Sequence, residues 1–180
     1  MSRKTAIVLI LILSLSFLFA KSPYREKDEI TRYKHTISMD PIVLLLGALN
    51  FSYEYRLTQN IALEGMIATG NLSFVKITNM NGIYFRYYKS QDYTNNEYFL
   101  QTGIQHVGLK DVQTDQKEEL QSIYIGGGKR WLKSNNFFLE FGIGVSLSQD
   151  DKFSFKDSGR ELVGGGPVRF GMSFKLGIYI

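Results

Sequence analysis

The sequence contains no cysteine in 180 residues, and it has only 3 prolines, 2 histidines and 1 tryptophan. Without cysteine the chain cannot have a disulfide scaffold, a thiolate metal site, a cysteine nucleophile or a lipid-anchored N-terminal cysteine. Glycine (17), tyrosine (11) and phenylalanine (13) are abundant, which favours strands joined by turns over helices. A hydrophobic content of 44% and a mean hydropathy of −0.12 argue against both a disordered chain and a bundle of membrane helices. The length suits one domain.

Residues 1–20 have the layout of a secretory signal peptide. Arg3 and Lys4 precede an uncharged, largely aliphatic run at 6–20, and Lys21 ends it. The run is shorter than the roughly 18 apolar residues that indicate a membrane-spanning helix. We therefore expect export with cleavage after Ala20, the alternative being an uncleaved anchor, and a flexible N-terminal lead over residues 21–34. Without the two basic residues the formal net charge falls from +4 to +2, which weakens the case for a nucleic-acid partner.

From residue 35 onward the apolar pattern has a period of two, which indicates strands. The clearest examples are residues 49–57 (LNFSYEYRL) and 137–147 (FFLEFGIGVSL). The segment 35–46 alternates poorly, but its length and the following Gly47 favour a strand. In all, eight strands are predicted, at 35–46, 49–57, 61–69, 82–88, 98–107, 122–132, 137–147 and 168–180.

The connections between these strands alternate in length. Short turns follow the second and sixth strands, whereas long polar segments at 70–81, 108–119 and 148–167 follow the third, fifth and seventh. This alternation is typical of transmembrane β-barrels, with short turns in the periplasm and long loops outside. The N-terminal lead is then expected in the periplasm.

The two faces of each predicted strand differ in polarity, and this difference predicts which face points into the barrel. One face is large and apolar, and the other mixes glycine, serine, glutamine, tyrosine and charged residues. Eight strands enclose a lumen too narrow for the large face, so we predict that the apolar side chains contact lipid and the polar ones lie inside. The alternative is a secreted soluble β-barrel that binds a small apolar ligand. Because an unpaired buried charge is costly, the inward charges are predicted to form a structural network that plugs the lumen. Its members are Glu54, Glu64, Arg86, Arg130, Glu140 and Lys175.

Three blocks of the sequence resemble known outer-membrane proteins: SMDPIVLLLGALNFSYEYRL, GIYFRYY and YIGGGKRWLKSNNFFLEFGIG. The pattern is similar to the small eight-stranded barrels of Gram-negative-type bacteria, the OmpA/OmpX-like class, and more similar still to an outer-membrane barrel family of unknown function. The resemblance implies an all-β, antiparallel, up-and-down transmembrane β-barrel over residues 35–180. It also implies insertion into outer-membrane lipid by the outer-membrane assembly machinery. The chain departs from such barrels in ending on Ile180 rather than on an aromatic residue.

No catalytic, cofactor-binding or metal-binding residue is predicted. An enzyme that acts on lipid needs a nucleophile beside a base. The deacylases that this chain resembles in size carry a serine two residues after the histidine. In this chain the position two residues after His106 is Gly108. The GGGK segment at 126–129 lacks the serine or threonine that completes a phosphate-binding loop. We therefore predict a non-enzymatic monomer that acts in membrane structure, adhesion or partner binding through its extracellular loops.

Overall fold

The computed structural model describes residues 34–72, 75–90, 96–112, 115–132, 136–148, 153–157, 160–164 and 168–180. The expected signal peptide, its cleavage site and residues 21–33 of the lead lie outside the described residues. Among those described, no helix is both long and apolar enough to cross a membrane. The chain forms one short helix, α1 (Pro41–Leu45), and the strands β1 (His35–Met39), β2 (Ala48–Arg56), β3 (Ile61–Leu72), β4 (Val75–Ser90), β5 (Asn96–Asp111), β6 (Lys117–Leu132), β7 (Phe137–Ser148), β8 (Phe153–Asp157), β9 (Arg160–Gly164) and β10 (Val168–Tyr179).

Eight of these strands close into a barrel in the order β1–β10–β7–β6–β5–β4–β3–β2, with β1 also paired to β2. Every pairing is antiparallel, and each strand lies beside its sequence neighbours in the barrel. β8 and β9 pair with each other as a separate hairpin inserted between β7 and β10. The prediction of an all-β, eight-stranded, antiparallel up-and-down barrel is confirmed.

The alternation read from the sequence corresponds to the two sides of the barrel wall. In β2, Glu54 and Arg56 are buried inside, whereas Phe51 and Tyr53 are 43% and 47% exposed outside. The other barrel strands repeat this arrangement, with large apolar side chains outside. The inward side chains are mostly small, polar or charged, with a few buried rings such as Phe99 and Phe138 among them. Leu139 shares the outer side of β7 but is buried, contrary to the expected exposure.

The predicted first strand, 35–46, is wrong in its second half. β1 ends after five residues, and the IVLLL segment lies largely in α1. Asp40 caps this helix by accepting the backbone N–H of Ile42 at 2.9 Å, and Gly47 leaves it with a φ of 101°. The second oxygen of Asp40 accepts the N–H of Phe174 on β10 at 3.2 Å. The helix therefore lies against β10 in the part of the wall that β1 does not reach.

Two of the predicted long loops are mostly strand. The segment 70–81 contains the end of β3 and the start of β4, and the segment 108–119 contains the end of β5 and the start of β6. Backbone pairing continues in both, although the outward side chains there are polar, such as Asn81 and Glu119. A polar outer side hid the apolar alternation that identifies a strand. The exposed large apolar side chains, such as Ile67, Ile83, Ile104 and Ile123, form an apolar band around the outside of the wall. These strands thus extend beyond the apolar band.

The turn between β5 and β6 contains the one described non-glycine residue with a positive φ, Asp115 at 61°. The ammonium of Lys110 lies 2.8 Å from its carboxylate. This hydrogen bond and the charge of Lys110 hold the pKa of Asp115 below its ordinary value. The third predicted loop, 148–167, contains the β8–β9 hairpin.

Candidate functional site: a charge cluster inside the barrel

The six residues predicted as an inward charge network meet in one buried cluster. None of them is more than 5% exposed. They reach it from six strands because each occupies an inward position of its own strand. They are Glu54 on β2, Glu64 on β3, Arg86 on β4, Arg130 on β6, Glu140 on β7 and Lys175 on β10. The cluster occupies the half of the barrel nearer Lys34 and Ile180, the termini of the described barrel.

Glu140 is the carboxylate that two arginines share. Both terminal nitrogens of Arg86 donate to it, at 3.0 and 2.9 Å. Arg130 donates its Nε and Nη2 to the Oε2 atom of Glu140, at 2.8 and 2.7 Å. Such paired, charge-assisted hydrogen bonds are among the stronger ones in proteins.

Glu54 accepts from the same two arginines on the facing wall. Arg130 donates Nη1 and Nη2 to the two carboxylate oxygens of Glu54, at 3.1 and 3.0 Å. Arg86 donates to Oε2 at 3.1 Å, and the Tyr88 hydroxyl donates to the same oxygen. In the barrel order β2 and β6 are four strands apart in either direction, so the Arg130–Glu54 pair spans the lumen.

Glu64 links the arginine pair to a lysine. It lies 2.7 Å from Nη2 of Arg86 and accepts from the Lys175 ammonium. Lys175 also lies 3.9 Å from Glu140. Each of the six predicted members therefore contacts at least two other members of the cluster.

A seventh and an eighth charged residue belong to the cluster. Arg56 donates to both oxygens of Glu97, at 2.9 and 2.5 Å, and its Nε lies 3.7 Å from Glu54. Arg56 was recognisable as an inward residue of β2. Glu97 was missed because the predicted fifth strand began at residue 98, two residues after β5 begins at Asn96. With these two, four carboxylates face four cations, and the formal charge of the cluster is zero.

Aromatic rings enclose the guanidinium groups. The central carbon of Arg130 lies 4.1 Å from the centre of the Phe138 ring, and that of Arg86 lies 4.5 Å from the Phe99 ring. That of Arg56 lies 4.3 Å from the ring of Tyr88. These rings add cation–π attraction and keep water from the ion pairs.

The half of the lumen farther from the termini contains a cavity of about 1190 Å³. Seven of the eight barrel strands contribute to its wall, which places it in the lumen. Its inward side chains are small or neutral: Ser52, Met66, Gln105, Ser122 and Ser148. The charge cluster thus occupies one half of the lumen and the cavity the other, where Arg169 on β10 also holds an inward position.

The other residues considered in the sequence analysis lie apart from the charge cluster. His106 is half-buried on β5 beyond the apolar band. The GGGK segment at 126–129 lies within β6, in extended pairing with both neighbouring strands. Within the residues that the structure describes, no group of three or more acidic or histidine side chains could hold a metal ion.

The cluster can crosslink strands, but its geometry is poor for acid–base chemistry. A general base must accept a proton from a substrate that it can reach. Here the carboxylates of Glu54 and Glu140 are each occupied by several arginine donors. Their charge is already balanced inside the wall.

No family model and no curated protein sequence matches the chain. Two bacterial β-barrels are among the solved structures that resemble it. The N-terminal β-barrel domain of Pseudomonas aeruginosa OprF matches with a TM-score of 0.58 and 13% identity, over 81% of this chain and 96% of that one. Neisserial surface protein A matches with a TM-score of 0.51 and 13% identity, over 81% of this chain and 94% of that one. At this identity the likeness concerns the fold, which is that of the eight-stranded outer-membrane barrels.

Proposed function

We propose that the chain is a non-enzymatic, monomeric protein of the bacterial outer membrane whose lumen is closed by the charge cluster. It is exported, and the outer-membrane assembly machinery inserts it into lipid. The observation that carries this proposal is the inverted polarity of the wall. Arg86 and Glu140 are fully buried inside, whereas Ile67 and Leu100 are 64% and 66% exposed outside. Water would oppose that arrangement, and lipid favours it.

The composition of the lumen argues against the soluble alternative. A secreted barrel that binds a small apolar ligand needs a largely apolar pocket. The lumen here contains four carboxylates and four cations in one half, and the other half combines Met66 with hydroxyl and amide groups and the inward Arg169. A lumen with this many polar and charged groups does not favour an apolar ligand.

The closed lumen is supported by the contacts that cross it. Arg130 on β6 reaches Glu54 on β2, and Arg86 on β4 reaches Glu140 on β7. An ion that passed through would have to separate these pairs, and breaking a buried pair costs about 3–5 kcal/mol. We expect no steady conductance from the protein in a planar bilayer; a stable open channel would refute the plug.

We assign the function at the cell surface to the outer extensions of the strands and to the β8–β9 hairpin between β7 and β10. The outer ends of β4, β5 and β6 present charged side chains, among them Lys76, Lys117 and Glu119, beyond the apolar band. Such polar segments on a rigid scaffold are where binding is usually found. We assign adhesion, partner binding or maintenance of membrane integrity to this end of the barrel.

Cysteine labelling on intact cells tests localisation and orientation together, because the chain has no cysteine of its own. Gln116→Cys lies in the exposed β5–β6 turn, and Gln59→Cys lies in the exposed β2–β3 turn at the opposite end. A membrane-impermeant maleimide should label the first on intact cells and the second only after the outer membrane is opened. The reverse result would invert the orientation. A protein recovered in the soluble fraction, or extracted by carbonate, would refute the membrane assignment.

A further inference from the structure

Two lysines flank a tyrosine on the outer surface of the wall, close to the end that contains the termini. Lys89 on β4 pairs in register with Tyr98 on β5, which pairs with Lys129 on β6. Trp131 is the next outward residue along β6, one position before the strand ends. These four residues, Lys89, Tyr98, Lys129 and Trp131, form what we call the basic aromatic patch.

The ammonium of Lys129 lies between two rings. Its Nζ is 5.2 Å from the centre of the Tyr98 ring and 5.3 Å from that of Trp131. Tyr98 lies directly across from Lys129, and Trp131 lies one outward step nearer the strand end. The contact with Trp131 therefore directs the lysine side chain away from the apolar band and toward the membrane interface. Such snorkelling is the usual behaviour of a lysine near a membrane boundary.

Neither lysine of the patch is matched by a carboxylate among the described residues. The outward neighbours of Lys129 are instead apolar, with Phe141 directly across on β7 and Leu100 one outward step above Tyr98. A cation on the lipid side of a wall is costly unless an anion compensates it. At the level of an aromatic belt, the available anion is the phosphate of a lipid headgroup.

We propose that the basic aromatic patch binds the phosphodiester of an anionic phospholipid in the leaflet nearer the termini. Lys89 and Lys129 lie on alternate strands, about 10 Å apart at the backbone, so both ammonium groups can approach one phosphate. The two rings pack against the glycerol and the upper acyl chains. A zwitterionic headgroup would bring a further ammonium to a site that already contains two. The patch therefore selects a lipid with net negative charge, and this inference rests on the proposed membrane location.

Trp131 provides a direct test because it is the only tryptophan in the chain. The membrane-inserted protein is reconstituted in phosphatidylcholine vesicles that contain a fraction of phosphatidylglycerol, with bromine on the acyl chains of one lipid at a time. Bromine quenches the tryptophan only when that lipid is adjacent. Brominated phosphatidylglycerol should quench more strongly than its fraction predicts, and Lys129→Gln should lower the relative association constant about fivefold. Lys89→Gln should lower it in the same direction, and Lys129→Arg should preserve it.

Lys76→Gln is the matched control, since it removes the same charge from β4 beyond the apolar band. It should leave the preference unchanged. Equal quenching by the two brominated lipids in the unaltered protein would overturn the site while leaving the barrel in the membrane. Absence of quenching by either lipid would show that Trp131 does not face a bilayer, and the proposed function would fail with it. A preference unaffected by both Lys89→Gln and Lys129→Gln would also overturn the site.

Discussion

Glu140→Gln removes the carboxylate that the two central arginines share, with almost no change of volume. Glu140 is fully buried and accepts four hydrogen bonds from Arg86 and Arg130 at 2.7–3.0 Å. The substitution leaves four cations facing three carboxylates. Breaking a buried pair from one side costs about 3–5 kcal/mol, and the amide oxygen of glutamine can keep part of the hydrogen bonding. We therefore expect the free energy of unfolding to fall by about 3 kcal/mol.

Urea unfolding of the protein in lipid vesicles, followed by the emission of Trp131, measures this loss. Arg86→Gln in the Glu140→Gln background restores a neutral cluster. The double variant should therefore lose less stability than the sum of the two single losses, by about 1–3 kcal/mol. Glu119→Gln, on the exposed outer end of β6, serves as the control and should change stability by less than about 0.5 kcal/mol. A loss below about 1 kcal/mol for Glu140→Gln, or additive single losses, would refute the argument that the cluster acts as one paired unit.

Two further pairs of variants test the facing and the packing of the wall. Ile125→Arg places a charge in the apolar band and should reduce folding stability by about 2–4 kcal/mol, whereas Gln121→Arg, four residues away on the same side of β6, should assemble normally. Equal assembly of both, judged by the yield of urea-resistant protein in the membrane fraction, would contradict the facing. Gly128→Ala should impair assembly, because a Cβ there would lie 2.1 Å from the backbone oxygen of Phe141. A Cβ at Gly65 would meet nothing within 4 Å, so Gly65→Ala should be tolerated. A wild-type yield of urea-resistant protein from both glycine variants would contradict the close packing of β6 against β7.

The strand count, the antiparallel order and the facing of the wall were predictable because side chains in a strand alternate with a period of two. In β7 and β10 this alternation is nearly unbroken, and both strands were bounded within one residue. The prediction failed where the polarity of the side chains did not indicate the secondary structure. The outer ends of β4 and β5 have polar side chains on the outward side, such as Lys76 and Asn81, and were read as loops. The apolar run at 42–46 was read as strand although Asp40 starts a helix there.

The sequence alone determined that these six charges point inward, since each lies on the side of its strand that alternates with the large apolar side. It could not determine their partners. Closure of the barrel brings Arg130 beside Glu54, 76 residues away, and Arg86 beside Glu140, 54 residues away. It also adds Glu97, whose role depends on one residue at the edge of a strand. Alternation is a local property of the chain and is legible in the sequence, whereas charge pairing across a lumen depends on strand tilt and register, and only the tertiary structure decides these.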